Sequence, residues 1–321
     1  MKNNKTPMDM QIFLHYTGQR SISLMVDLTN YLMLELGQPM HAFDSNVVNA
    51  ITVGNAKYWD KFTTLDGVER TLSKDNLMIK NDNEYFAVAG VMGGLESEIL
   101  DTTDSIFLES ATFNATSVRK TAISLGLRTE ASARYEKSLD PNMTDLAIKR
   151  YAKLLKDENP DLVIASNLTD VYPNKLESKE VALSKELLAK YMGFEMKDSE
   201  VERILTSLDF KVTCEDEVYK VIVPTYRATK DISMGADIIE EIARIYGYDK
   251  IPVTLLSGAA TRGGKSPIQK TRDIINETLT AQGMYEIYTY TFTGPFVYDK
   301  LNLPSDHELR NSVKITNPFG D

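Results

Sequence analysis

Leucines at positions 24, 28, 32 and 36 recur every four residues, and Val26, Tyr31, Met33 and Leu34 fill further apolar positions. That period predicts an amphipathic helix across the first half of 22–44. Gly37 follows where a helix end favours a left-handed residue, and Pro39 sits at the usual stop distance. From 46 to 110 the pattern changes to short strand-like runs, AITVGNA, YFAVAGVMGG and SIFLES, bounded by Gly, Asn and Asp. Asp66-Gly67 marks a hairpin turn between Leu65 and Val68. A helix is expected over 119–125, closed by Gly126, and another after Thr129, with Thr129 as cap helped by Ser132 or Glu130. A longer helix with a mixed face runs from 140 to about 157, and Pro160 ends it.

Residues 171–181 are polar and contain Pro173, which places a domain boundary there. Beyond it, Ser184 caps a helix running to 191, with Gly193 at its end. Ser199 and Glu202 read as a capping box ahead of Val201, Ile204, Leu205 and Leu208. KVTC and VYKVIVP form a hairpin across Glu215-Asp216-Glu217. Residues 236–246 are helical, with Gly247 and Pro252 beyond. SGAATRGGK, 257–265, is a glycine-rich linker. Ser266 and Pro267 then open a helix to 282, stopped by Gly283, and YEIYTYTF alternates as a strand.

Composition narrows the class. A length of 321 residues with 42% hydrophobic and 26% charged side chains fits a soluble chain of more than one domain. No apolar run approaches the roughly 20 residues of a membrane span, and the first residues hold no signal core. The single cysteine, Cys214, cannot form an internal disulfide and suits a reducing cytosol. The net charge of −10 argues against coating nucleic acid by bulk charge. Between 119 and 156, however, nine Lys or Arg stand against four acids, either to meet phosphates or as a solvated helix face.

Three constellations carry chemistry. Thr29 and Asn30 interrupt the first helix, and His41 lies just past its stop. They either line a polar pocket, or are solvated with the imidazole on a turn carbonyl. Glu109 ends an apolar run, where a buried carboxylate needs a partner. The glycines at 90, 93 and 94 imply sharp turning or close approach, but no Gly-Lys-Ser/Thr follows, which excludes a nucleotide-binding P-loop. Asp237, Glu240 and Glu241 share one helix face, with Asp231 in the loop before them. These four either hold a hard cation of the Mg²⁺ type or form an acidic first turn, with Glu240 paired to Arg244. No Ser-His-Asp set, Cys-His set or zinc cluster stands out.

VDLTNYLMLELGQPMHAFD, 107–142 and 223–252 resemble the β subunit of bacterial phenylalanyl-tRNA synthetase, and the start of a core domain after 266 is similar too. The resemblance implies an α+β multidomain chain: a mixed α/β editing domain over 1–176, then a small helix-helix-hairpin domain, winged-helix-like, over 177–255. A linker over 256–266 and the beginning of a class II synthetase-like antiparallel core over 267–321 would follow. It implies that the chain lacks the family's tRNA-binding OB-fold module and stops before the core is complete. The expected activity is hydrolysis of tyrosine wrongly esterified to phenylalanine tRNA, within an ATP-dependent ligase that attaches phenylalanine. Its α subunit, in an α/β heterotetramer, and tRNA(Phe) are the expected partners, in the cytoplasm. The family match implies Glu109 as binder of the tyrosine hydroxyl, and His41, Thr29 and Asn30 as groups orienting ester and water. Pro39, Gly90 and Ala131 match pocket positions, and Asp231, Asp237, Glu240 and Glu241 match ligands of an Mg²⁺ shared with the α subunit. ATP would be used by the whole enzyme and not bound by this chain alone. A free-standing deacylase and a non-catalytic nucleic-acid-binding scaffold are the competing readings.

Overall fold

A computed structural model describes residues 5–57, 59–255, 257–259 and 262–318; Leu256, Ala260 and Thr261 of the expected linker and residues 319–321 of the expected core fall outside it. The architecture is α+β, in two compact units, Met1–Thr254 and Leu255–Asp321. The first unit begins with α1 (Met8–Tyr16), α2 (Leu24–Leu36), β1 (Met40–Asp44), β2 (Thr52–Asn55), β3 (Lys61–Thr63) and β4 (Glu69–Thr71). β5 (Leu77–Lys80), β6 (Tyr85–Val88), β7 (Met92–Gly93), β8 (Ile106–Ser110), α3 (Ala115–Ser124), α4 (Glu130–Tyr135) and α5 (Met143–Glu158) follow. β2-β5-β6-β7 make a four-stranded sheet, β3-β4 a hairpin, and β1-β8 an antiparallel pair.

The four-residue leucine period is the buried face of α2: Leu24, Leu28 and Leu32 are fully enclosed against Tyr151 and Leu155 of α5. The Tyr151 hydroxyl, buried with them, donates to the Met25 carbonyl at 2.9 Å, so the one polar atom in this contact is satisfied. Gly37 closes α2 at φ +73°, a conformation other residues adopt at a cost. Thr129 and Ser132 cap α4 reciprocally. The β3-β4 turn pivots on Gly67 at φ +75°.

The rest of the unit comprises β9 (Lys179–Ser184), α6 (Lys185–Met192), α7 (Asp198–Ser207), β10 (Lys211–Glu215), β11 (Val218–Val223), α8 (Thr225–Ala228) and α9 (Gly235–Tyr246). Ser184 caps α6 by accepting from Leu187 N, and Gly193 ends it. The expected hairpin is wider than the sequence suggests. β9 adds to it as a third strand, in the order β10-β11-β9, with Val181 and Leu183 buried and Lys179, Glu180 and Ala182 exposed. Its polar first half falls within the stretch expected as a domain boundary. The Ser199–Glu202 capping box does not form; α7 starts earlier, after Lys197, and no side chain caps it.

The second unit holds α10 (Pro267–Ala281), capped reciprocally by Ser266 and Gln269, and α11 (Phe296–Lys300). The expected strand over 285–292 is absent. That stretch is irregular and exposed, and among the described residues of this unit no strand is present to offer hydrogen bonds to it.

Asp27, in the first turn of α2, is wholly buried and accepts from the Thr6 hydroxyl at 2.5 Å, the Ile22 amide at 2.8 Å and the Ser21 hydroxyl. Asp27→Ala leaves these donors without their acceptor. A loss of about 3 kcal/mol is expected in denaturant unfolding; a loss under about 0.5 kcal/mol, ordinary for a surface change, would show that this knot does not anchor α2.

Candidate functional site

Pro39 begins where α2 ends, and the chain passes directly into β1, which pairs with β8 in the register Met40↔Ser110, His41↔Glu109, Ala42↔Leu108. His41 is therefore a strand residue, and not a turn residue as its place after the helix stop suggests. Directly opposed residues of an antiparallel pair project from the same face with Cβ atoms about 5 Å apart. The imidazole and the carboxyl, 68 positions apart, thus share one face. Glu109 is 8% exposed, and its Oε1 and the His41 Nε2 are both enclosed without a hydrogen-bond partner among the described residues. The Phe43 ring stands edge-on to the imidazole, 4.4 Å between centroids.

Burial sets the charge state. It pushes the Glu109 carboxyl up to about 8 and the His41 imidazole down to about 4. Both groups are therefore mainly neutral at pH 7: a carboxylic acid facing an uncharged imidazole.

Gly93 makes room for the imidazole. A Cβ there would lie 2.5 Å from His41 Cε1 and 2.6 Å from Nε2. The sequence marks Gly93, with Gly90 and Gly94, for sharp turning or close approach, but only Gly90 is an expected wall position; it is Gly93 that faces the imidazole. Gly90 has another role: at φ +69° it turns the chain under Phe113, Val118 and Tyr135, each about 3 Å from where a Cβ would stand. Ala131 packs, half-buried, against that same core. Pro39 is buried at the entrance to β1. Thr29 is buried in α2, its hydroxyl donating to the Val26 carbonyl at 2.7 Å, and half-buried Asn30 follows on this helix, which packs on β1. The structure thus unites His41, Glu109, Pro39 and Gly93, with Thr29 and Asn30 on a supporting helix and Gly90 and Ala131 in the core behind.

The acidic set resolves differently. Glu241 is 5% exposed, and Arg227 reaches both its oxygens, at 2.8 and 3.2 Å, while Arg244 adds a further contact. Arg227 also pairs with Asp231. Asp237 accepts the Ser233 and Met234 amides at 2.6 and 2.9 Å, capping α9, and Glu240 is exposed. Burial pushes the Glu241 carboxyl up, but hydrogen bonds from Arg244 and Arg227 outweigh it and hold the group below its ordinary value. The amides of Ser233 and Met234 do the same for Asp237. Arg244 pairs with Glu241 and not with Glu240 as its spacing suggested. Among the described residues no three His, Cys, Asp or Glu are grouped to hold a metal. As placed, the four carboxylates are not grouped around one ion: Arg227 and Arg244 hold Glu241, Arg227 holds Asp231, backbone amides hold Asp237 and Glu240 is exposed.

The basic run over 119–156 is also largely neutralised within the chain. Arg128, Arg134, Lys149, Arg150 and Lys153 each meet an acid, Glu136, Glu130, Asp145, Glu35 and Asp157 respectively.

The Glu109 carboxyl holds its proton in the fold up to about pH 8, whereas the unfolded chain releases it near 4.5. Its burial therefore lowers stability progressively as pH rises through that window. His41, depressed from 6.5 to about 4, has the opposite effect: stability falls as pH drops from 6.5 towards 4. Glu109→Gln is expected to gain stability over the parent above pH 4.5, reaching roughly 4 kcal/mol near pH 8 in paired urea titrations. A difference independent of pH would mean that Glu109 ionises as in water.

Three family models match the chain in order: the B3/4 domain over residues 1–159, the tRNA synthetase B5 domain over 181–248 and the phenylalanyl tRNA synthetase beta chain CLM domain over 251–321. The phenylalanine–tRNA ligase beta subunit of Clostridium acetobutylicum is 41% identical over 323 residues, covering 100% of this chain and 40% of its own length. That of Carboxydothermus hydrogenoformans is 42% identical over 321 residues, covering 99% of this chain and 40% of its own. Among solved structures, an N-terminal fragment of the Pyrococcus horikoshii phenylalanyl-tRNA synthetase beta subunit aligns at 15% identity and a TM-score of 0.38, over 70% of this chain and 66% of that one. The chain spans about 40% of the length of the curated relatives it matches. With three such models in sequence and relatives of this likeness along its whole length, the chain belongs to the phenylalanyl-tRNA synthetase β-subunit family.

Proposed function

We propose that the His41–Glu109 face recognises the side chain of an amino acid esterified to tRNA(Phe), and that the chain hydrolyses that ester when the amino acid is tyrosine. The observation that carries this reading is the enclosed, unpartnered Oε1 of Glu109 beside the equally unpartnered Nε2 of His41. A buried polar atom without a partner is costly, so a ligand that supplies one is favoured over an isostere that does not. Tyrosine differs from phenylalanine by one phenol hydroxyl. That hydroxyl accepts from the protonated carboxyl of Glu109 or donates to its ionised form.

His41 orients the ester and the attacking water. Its imidazole, depressed to about 4, takes up a proton reluctantly at neutral pH, which disfavours a general-base role. The attacking water is then helped by the terminal ribose hydroxyl of the tRNA, with Thr29 and Asn30 supporting from α2. Pro39, Gly93, Gly90 and Ala131 shape the walls. No acyl-enzyme is invoked.

On this reading the chain is part of a cytoplasmic, ATP-dependent ligase whose α subunit activates phenylalanine, with the two subunits in a heterotetramer. ATP belongs to that whole enzyme. Among the described residues no helix is long and apolar enough to cross a membrane. The Mg²⁺ expected of the family is not assigned to Asp231, Asp237, Glu240 and Glu241, for the reason given above.

Deacylation of tyrosyl- and phenylalanyl-tRNA(Phe) tests the reading. The parent chain is expected to clear the tyrosyl form faster, and Glu109→Ala to lose about tenfold to a hundredfold of that preference. Equal parental rates on the two substrates would remove the basis for assigning Glu109. Gly93→Ala, whose methyl must displace the imidazole, is expected to slow tyrosyl clearance about a hundredfold while thermal unfolding remains cooperative. Unchanged clearance by that variant would place the reaction elsewhere.

A further inference from the structure

The β1-β8 register ends at Met40↔Ser110. One step further, the facing residues are Pro39 and Ala111. Proline has no amide hydrogen, so this step cannot be completed by the backbone as the others are. It is completed by side chains. The Gln38 amide nitrogen donates to the Pro39 carbonyl at 3.0 Å and to the Ala111 carbonyl at 2.8 Å. The Tyr135 hydroxyl meets the same two oxygens at 3.1 and 3.0 Å, sharing its one hydrogen between them. Each carbonyl therefore receives both residues.

Gln38 and Tyr135 are 1% and 3% exposed, so these bonds form away from water. The Tyr135 ring is held edge-on to Phe113 at 5.2 Å, directly under Gly90. Tyr135 lies at the end of α4, far from the two strands in sequence, and so ties a third element to their junction.

We propose that Gln38 and Tyr135 are positioning residues: they substitute for the rung Pro39 cannot make and thereby set the separation of His41 and Glu109, two steps along the same ladder. This inference rests on the editing reading for its catalytic consequence, but not for its structural one. Neither residue touches the reacting ester; both act through the strands. Two further observations agree with it. Burial raises the Tyr135 hydroxyl well above its ordinary value, so it keeps the hydrogen it shares between the two carbonyls. Thr112 Oγ1, next to the clamp, and Gln38 Oε1, within it, join His41 Nε2 and Glu109 Oε1 as enclosed atoms without partners among the described residues. Unpartnered atoms thus flank the clamp on both strands.

The test uses Tyr135→Phe, which removes one oxygen and keeps the ring, and Gln38→Met, which removes both amide donors at similar volume. NMR of the His41 imidazole and the Glu109 carboxyl in the full chain reads the site without reference to activity. In each variant the His41 ring resonances are expected to move, and the Glu109 titration midpoint to fall from about 8 towards 4.5 as the strand ends part and water enters. Kinetically, kcat for tyrosyl-tRNA(Phe) clearance is expected to fall about tenfold with KM nearly unchanged. Resonances and midpoint unchanged in both variants would overturn the positioning role, whatever happens to stability. A parent chain that clears neither substrate would overturn the editing reading alone, leaving the NMR result to decide the clamp. If Gln38→Met does not fold, Tyr135→Phe decides by the same criteria.

Discussion

Everything distinctive about the candidate site follows from one pairing, the two-stranded β1-β8 ladder. It is short and carries the register His41↔Glu109. A slip of one residue would send one of these side chains to the opposite face. The surroundings suppress such a slip from both sides: α2 delivers the chain into β1 through a glycine and a proline, and α5 packs on both α2 and β8. The leucine-rich face of α2 and the aromatic anchor Tyr151 therefore matter to the site, although neither touches it.

Burial on that ladder explains the chemistry better than either residue's identity does. An exposed Glu and His at pH 7 would be a carboxylate and a partly protonated imidazole. Enclosed, they become an acid that keeps its proton and a base that declines one. Such a pair is poorly suited to abstracting protons and well suited to discriminating a ligand by whether it satisfies them. The same desolvation that makes unpartnered polar groups costly would favour a ligand that supplies them with a partner.

The acidic face of α9 shows how charge is reassigned once a chain folds. Helical spacing correctly put Asp237, Glu240 and Glu241 near one another, but spacing along one helix does not report what arrives from outside it. Arg227, from α8, takes both oxygens of Glu241, and Arg244 joins from the next turn. A buried carboxylate between two guanidinium groups is a structural ion cluster that locks α8 to α9. Part of the basic run over 119–156 behaves in the same way: Arg134, Lys149 and Lys153 are matched at i+4, and Arg150 pairs with Glu35 between α5 and α2.

Local physics sufficed for much of this chain. The four-residue apolar period, the terminating glycines at 37 and 193, the Thr129–Ser132 cap and the Asp66-Gly67 turn were all readable, because each depends on residues within a few positions of one another. Long, family-like stretches of sequence likewise marked positions 41 and 109 as candidates, and the fold sets them opposite one another. Tertiary structure alone decided the rest. β1 and β9 are too short or too polar to announce themselves and exist because a partner strand accepts their hydrogen bonds; the alternating stretch over 285–292 lacks one and is no strand. That Gly93 and not Gly90 faces the imidazole, that Gln38 and Tyr135 close the ladder, and that arginines claim Glu241 are all long-range outcomes. Periodicity reports which face of an element is apolar, whereas the partner that face meets depends on the folding of the whole unit.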